Sequence, residues 1–291
     1  MIVSLFSCII HDMKSPIRYF GGKGGMYKEI MQFFPPQENY VTYIEPFGGG
    51  ASLLFQKHPS PVEIYNDLEE NVYSLFKVLA DKKLFSQFKE KCDLSYYSAK
   101  IRSEYKEDLK KKDLSLVDRA YKFFFVNRTS VNGVGGFGCA TEIIRRNMSK
   151  STSDFLSAID GLIEVHNRLS SVIIENRDGV EIIKKYDRKD VFFYMDPPYH
   201  FSTRTAARYK VDMSDEQQKK LIDLLLSLRY CKVLLSGYDC KEYDTLTKHG
   251  WDKRTFVINT IDGNRRPKKK TEVIWKNYES ISLAKEDSLF S

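Results

Sequence analysis

No two of the five cysteines form a Cys-x-x-Cys pair. Cys8, Cys92, Cys139, Cys231 and Cys240 are scattered and odd in number, which argues against a zinc site or a disulfide framework and fits a reducing cytosol. No metal is expected. No apolar stretch is long enough to span a bilayer, so no membrane partner is expected. The apolar start, Met1 to Ile10, lacks the basic flank of a signal peptide and reads as a short strand or an extension, with Met13 a candidate start. Internal repeats and low-complexity segments are also missing.

What is present is a core-forming composition. The chain has 291 residues, 42% of them hydrophobic, enough for one large α/β domain or a core domain with an insertion. Net charge is +7, which suits a polyanionic partner but is common enough among soluble proteins to carry little weight alone. Short β-rich runs alternate with helical stretches: Tyr40 to Ile44, Val62 to Tyr65, Val172 to Ile174, Val191 to Met195 and Lys232 to Leu235 read as strands. Val191 to Met195 is almost wholly apolar, as a strand buried on both faces should be. Between the last two, Ser214 and Gln217 predict a capping box, and Leu221, Leu224, Leu225 and Leu228 line one helix face. Arg254 to Ile258 and Glu272 to Trp275 can close the sheet as a hairpin. The alternation predicts an α/β fold with a mainly parallel sheet.

Residues 76–164 break the alternation and read as helices and loops. They hold 17 Lys and Arg against 12 Asp and Glu, a difference of +5. A basic, helical insert fits a nucleic-acid module and fits a solvated helical cap about equally.

The sharpest signal is Asp196-Pro197-Pro198-Tyr199, directly after the buried strand. Ligands in open α/β sheets bind beyond the carboxyl ends of strands, and paired prolines stiffen the turn there. The lone pair of an amine attached to an aromatic ring is delocalised, so its chemistry needs acceptors on the N–H bonds. Asp196 and the Pro197 carbonyl can supply them, and Tyr199 offers a ring for a planar base. The competing reading is a proline-rich turn with a capping Asp. Glu45-Pro46-Phe47-Gly48-Gly49-Gly50 follows the first strand and lets backbone approach a ligand at the head of a helix beginning near Ala51. It is neither a strict Gly-x-Gly-x-x-Gly nor a phosphate loop. Asp67, ending the second strand, is placed to accept from ribose hydroxyls, or equally to cap a helix. Arg18-Tyr19-Phe20-Gly21-Gly22-Lys23 suggests a tight loop beside a ligand.

Together these segments resemble the Dam-like, alpha-group DNA adenine-N6 methyltransferases, over most of the chain and in the family's motif order. The resemblance implies a Rossmann-like class I methyltransferase sheet at 13–75 and 165–291, ending in a C-terminal hairpin, with a target-recognition insert at 76–164. It implies S-adenosylmethionine as cofactor, with Tyr19, Lys23, Phe47, Gly48, Gly50, Asp67 and Asp196 at the cofactor positions. Asp178 is a looser match, at the position that reads the cofactor's adenine. The family usually has Trp where Tyr19 stands. Leu235-Ser236-Gly237-Tyr238 and Lys270-Thr271-Glu272-Val273-Ile274-Trp275 are also similar.

In the insert, Asn127-Arg128 and Asn132-Gly133 resemble the family's recognition hairpin. Known members carry an aromatic wedge just before that Asn, where this chain has Val131. They also carry a guanine-reading arginine further on, where it has Val134-Gly135-Gly136-Phe137. Phe137 is a candidate replacement wedge. The expected DNA-binding residues are Arg128, Asn132, Phe137, Arg145 and Arg146, although Asn132-Gly133 reads equally as a simple turn dipeptide. The expected reaction is in-line methyl transfer to an adenine flipped from double-stranded DNA, by a cytoplasmic, bacterial or phage-encoded monomer. The resemblance also admits a restriction-modification role with a cognate restriction enzyme. The alternatives are cytosine-N4 transfer, RNA or protein methylation on the same fold, and a catalytically silent DNA-binding module.

Overall fold

A computed structural model describes residues 13–19, 22–198, 213–237, 239–261 and 267–279. The N-terminal segment leads into α1 (Tyr27–Met31), β1 (Thr42–Glu45), α2 (Ser52–Gln56) and β2 (Val62–Asn66). Four helices follow: α3 (Glu70–Ala80), α4 (Lys82–Asp93), α5 (Ala99–Asp108) and α6 (Leu116–Thr129). A two-stranded ribbon, β3 (Ile144–Arg145) and β4 (Met148–Ser149), precedes α7 (Lys150–Asp160) and α8 (Leu162–Leu169). The alternation then resumes with β5 (Val172–Glu175), α9 (Gly179–Lys185), β6 (Val191–Met195), α10 (Asp215–Ser227) and β7 (Lys232–Gly237). After α11 (Asp244–Lys248) come β8 (Asp252–Ile261) and β9 (Pro267–Lys276).

Helix starts follow local chemistry. Asp81, Ser98, Ser115 and Ser149 each accept a hydrogen bond from a backbone N–H of the first turn of α4, α5, α6 and α7. Ser214 and Gln217 form the expected reciprocal capping box on α10.

Among the described residues the main sheet has seven strands in the order β5-β2-β1-β6-β7-β9-β8. The five strands from β5 to β7 are parallel, and β9 and β8 close the sheet as an antiparallel hairpin. This is the expected α/β class and Rossmann-like sheet. The strand order reverses between β1 and β6, and a crevice opens there beyond the carboxyl ends.

Both faces of the sheet are covered. Along β6, Phe192 and Tyr194 join one apolar cluster while Val191, Phe193 and Met195 join the other, the period-two alternation of a strand buried on both sides. The first cluster takes in Leu75 and Phe76 of α3, Phe88 of α4, Phe124 and Phe125 of α6, and Phe155 of α7. The second packs Ile182 of α9, Leu221 and Leu225 of α10, and Leu246 of α11. The helices of 76–164 thus share a core with one face of the sheet. Positions 76 and 164 fall inside α3 and α8, because both helices must cover that face. No described helix is long and apolar enough to cross a membrane.

Candidate active site

A cavity of about 300 Å³ lies at the strand-order reversal. Its walls include Tyr19, Lys23, the Pro46 to Ala51 loop, Asp67, Asp178, Asp196 and Pro198. Five chain segments therefore converge where the topology directs.

The loop after β1 is held in an unusual backbone path. Gly49 has φ +49° and Ala51 has φ +53°, a left-handed conformation that costs an alanine roughly 1–2 kcal/mol. A Cβ on Gly48 would sit 2.1 Å from the Tyr65 ring, and one on Gly49 2.7 Å from the Tyr19 ring. The glycines thus let two aromatic rings close on the loop. Tyr65 donates its hydroxyl to the Gly49 carbonyl at 2.7 Å. Asn66, fully buried, donates to the carbonyls of Pro46 (2.8 Å) and Arg177 (2.9 Å) and accepts from the Arg177 N–H (2.9 Å). One amide side chain thus ties together the loops that follow β1, β2 and β5.

Asp67 accepts from the N–H of Gly49 and that of Glu69, both at 2.8 Å. Burial pushes its carboxyl up to about 6, against the pull of those two hydrogen bonds. Glu45, also buried, accepts from the Tyr43 hydroxyl at 2.7 Å and is pushed up to about 7 by burial. Phe47 packs its ring where a Cβ on Gly179 would come within 2.4 Å. Asp178 lies at the exposed rim and caps α9 by accepting from the Val180 N–H at 2.8 Å.

Asp196 follows β6 on the cavity wall. Its Oδ1 lies 2.9 Å from Lys23 Nζ and accepts from the Ser236 hydroxyl at 3.3 Å. Ser236 in turn sits 2.8 Å from the Tyr194 hydroxyl. Lys23 is buried and also meets Glu272 Oε1 at 2.7 Å. Burial alone would pull the ammonium down, but Asp196 and Glu272 outweigh it and hold Lys23 above the usual lysine value. The Pro198 carbonyl accepts from Gln218 Nε2 at 2.6 Å, and Gln218 Oε1 accepts from the Tyr243 hydroxyl at 3.0 Å. Pro197 lines the cavity beside them, and Tyr199 lies outside the described residues.

Asn66, Gln218 and Glu272 are additions to the sequence-derived set. Gln218 carried a readable signal: with Leu221, Ile222 and Leu225 it occupies the buried stripe of α10, where a polar side chain needs a reason. Glu272 carried another, an acid inside the buried run Val273-Ile274-Trp275 of β9.

The insert residues gather beside the N-terminal segment. Asn127 accepts from the Arg18 N–H at 2.8 Å and donates to the Arg18 carbonyl at 2.9 Å, next to cavity-lining Tyr19. Asn132 is exposed with φ +52° and Gly133 has φ +81°, so the pair forms a tight turn. Val131 and Val134 flank it, both exposed (50% and 54%). Phe137 is half-buried, its ring 4.9 Å from that of Tyr97. Arg102 bonds Ser130 Oγ (3.0 Å) and the Gly135 carbonyl (2.5 Å), and Tyr97 donates to Gly138, which fixes the loop from α5 and the turn before it. Arg128 is half-buried over α7, donating to the Asp154 carbonyl at 3.5 Å, and burial beside Arg18 lowers it to about 10. Arg145 and Arg146 are exposed on the β3–β4 ribbon, 3.4 Å from Asp154 and 3.5 Å from Asp160.

Comparison with known proteins gives the family. The family model of D12 class N6 adenine-specific DNA methyltransferases matches residues 19–264. The type II methyltransferase M.MjaIII of Methanocaldococcus jannaschii is 28% identical over 92% of this chain and 100% of its own length. The modification methylase StsI of Streptococcus sanguinis is 23% identical over 92% of this chain, which spans 43% of that protein. The type II methyltransferase M.CviBI of Paramecium bursaria Chlorella virus NC1A is 25% identical over 64% of this chain and 69% of its own length. The Asp-Pro-Pro turn at the strand-order reversal and a family match over well more than half of the sequence lead to one assignment: the chain belongs to the D12 class of N6 adenine-specific DNA methyltransferases.

Proposed function

We propose that this enzyme moves the methyl group of S-adenosylmethionine to N6 of an adenine flipped out of double-stranded DNA, with Asp196 receiving the amine. The observation that carries the reading is the Asp196 carboxylate at the end of β6, held by Lys23 on the wall of the cavity at the strand-order reversal.

The residues present fit that cofactor. The glycine loop closes on the Tyr19 and Tyr65 rings without Cβ atoms in the way, leaving its backbone on the cavity wall. Asp67 offers a buried carboxylate for ribose hydroxyls, and Phe47 and Asp178 border the neighbouring wall for a purine. Bound there, S-adenosylmethionine supplies an already activated sulfonium methyl, so positioning accounts for most of the catalysis. Asp196 and the Pro197 carbonyl accept from the two N6–H bonds and draw the nitrogen toward a tetrahedral form. S-adenosylmethionine held there would give its methyl group to the N6 lone pair and keep the carbon–sulfur electron pair, and the surplus N6 proton would leave for water. Gln218 fixes the turn through Pro198, so Asp196 and the Pro197 carbonyl keep their mutual placement.

We assign DNA recognition to the insert, chiefly Asn132, Arg145, Arg146 and the loop ending at Phe137, with Arg128 supporting it from beneath. The half-buried Phe137 and the open Val131 and Val134 make the two valines the better candidates for an apolar wedge. The type II names of the relatives support a restriction-linked role beside a cognate endonuclease.

Methylation-sensitive sequencing of DNA from cells expressing the protein tests this reading. The expected product is N6-methyladenine in a fixed context, absent with Asp196→Ala. N4-methylcytosine as the product, or near wild-type turnover by Asp196→Ala, overturns it.

A further inference from the structure

Lys23, Asp196 and Glu272 come from opposite ends of the chain and meet on one side of the cavity. Lys23 stands between two carboxylates, at 2.9 Å from Asp196 Oδ1 and 2.7 Å from Glu272 Oε1. The lysine and Glu272 side chains are 2% and 0% exposed, whereas Asp196 is 20% exposed and borders the cavity. An acid in the buried run of a strand, here 272–276 of β9, is costly unless it meets an opposite charge. Here the opposite charge is already in contact with the catalytic carboxylate.

The formal charges decide what this arrangement does. Lys23 and Asp196 alone make a neutral pair, in which the ammonium competes with the substrate amine for the same acceptor. With Glu272 these three side chains, among the described residues, sum to one net negative charge, and the ammonium is drawn by two carboxylates at once. Methyl transfer places positive charge on N6 until its proton leaves, so a net negative neighbour favours the transition state over the neutral amine. Ser236 reaches the same Oδ1 that Lys23 holds, so both contacts orient Asp196 from one side.

We propose that Glu272 is a positioning residue for methyl transfer: it shares Lys23, so that the lysine orients Asp196 without cancelling its charge. The inference rests on Asp196 being the acceptor of the amine.

Glu272→Gln keeps the shape and an acceptor for Lys23 but removes the charge. Its single-turnover methylation rate should fall about tenfold or more, while cofactor and DNA dissociation constants stay within about threefold. A purely structural role would lower the melting temperature and leave the rate of the folded fraction alone. In a Lys23→Met background, adding Glu272→Gln should cost clearly less than it does alone, because the part of its effect that runs through the lysine is already lost. A wild-type single-turnover rate for Glu272→Gln, or a double variant slower than Lys23→Met by the full single-variant factor, overturns the proposal. If Glu272→Gln does not fold, the comparison of Lys23→Met with the double variant decides. Asp196→Ala measured alongside separates the two readings: activity there removes the acceptor assignment itself, whereas a dead Asp196→Ala with a fully active Glu272→Gln removes only the role of Glu272.

Discussion

Both oxygens of Asp67 are engaged by backbone N–H groups of Gly49 and Glu69, and burial still raises its carboxyl to about 6. Folding and ligand binding then respond to pH in opposite senses. With the native value above the unfolded one, the folded state holds the proton more tightly. Asp67 therefore favours folding most in mild acid, and this contribution is lost as pH rises through about 6. Glu45, raised to about 7, has the same sign over a slightly higher window. With Asp67 as the proposed acceptor for the ribose hydroxyls, cofactor binding needs the ionised carboxylate. The dissociation constant for S-adenosylmethionine should be level above pH 7 and rise as pH falls through 6, by up to about tenfold per unit. Asp67→Asn should bind weakly with a flat profile, and calorimetric titration from pH 8 to pH 5 checks both. A pH-independent wild-type constant would take Asp67 out of the cofactor site. Asp67 and Asp196 were legible in the sequence because each stands at the end of an apolar strand, where position and residue type are both local. Glu272 and Gln218 left only a polar residue in an apolar run, and Asn66 left nothing; the role of each depends on a partner far along the chain that only the fold brings near.

At the scale of elements, the strands and the α10 capping box were readable to within a few residues. Apolar runs, alternation and cap residues are properties of neighbouring positions. The β3–β4 ribbon was not readable: its turn places Arg146 (φ +54°) and Asn147 (φ +57°) in left-handed conformations, without the glycine that usually marks such a turn. The loop before it rests more firmly on glycine. A Cβ on Gly133 would fall 2.0 Å from the Arg18 carbonyl oxygen, with φ at +81°. Gly133→Ala should therefore displace the Asn132 turn from the Arg18–Tyr19 segment. Discrimination between cognate and near-cognate duplexes should drop while the far-ultraviolet circular dichroism stays unchanged. Equal rates on the two duplexes, relative to wild type, would show that the turn has no part in recognition. α10 acts on the chemistry through one side chain. Gln218→Leu leaves the half-buried Pro198 carbonyl without its amide donor, a loss of about 0.5–1.5 kcal/mol. The turn should loosen, and kcat should fall by up to about tenfold with little change in cofactor affinity. Single-turnover kinetics beside calorimetry separates the two effects.

The whole molecule carries its charge unevenly, and the insert sequence holds +5 of the net +7. Three cations of the insert and Arg18 meet at one acid. Asp154 of α7 faces Arg18 at 3.7 Å, Arg145 at 3.4 Å and Lys150, while its carbonyl accepts from Arg128. One acid among four cations leaves a positive surface beside the segment that leads to the cavity. The acid also keeps the cations in register through contacts that solvent partly screens. Arg145 of this group and the neighbouring Arg146, which faces Asp160, are 60% and 51% exposed on the ribbon. A side chain this open reaches a phosphate at little desolvation cost, and phosphate contacts add affinity without sequence information. Each phosphate neutralised changes the slope of log affinity against log salt by about 0.9 on duplex DNA. Arg145→Ala and Arg146→Ala should each weaken binding to cognate and unrelated duplexes alike and flatten that slope by about one unit, with the double variant flattening it by about two. Fluorescence anisotropy across a salt series on both duplexes measures this directly. A loss confined to the cognate duplex, with an unchanged slope, would instead make these arginines readers of base edges and move the phosphate-binding role to other cations of the insert.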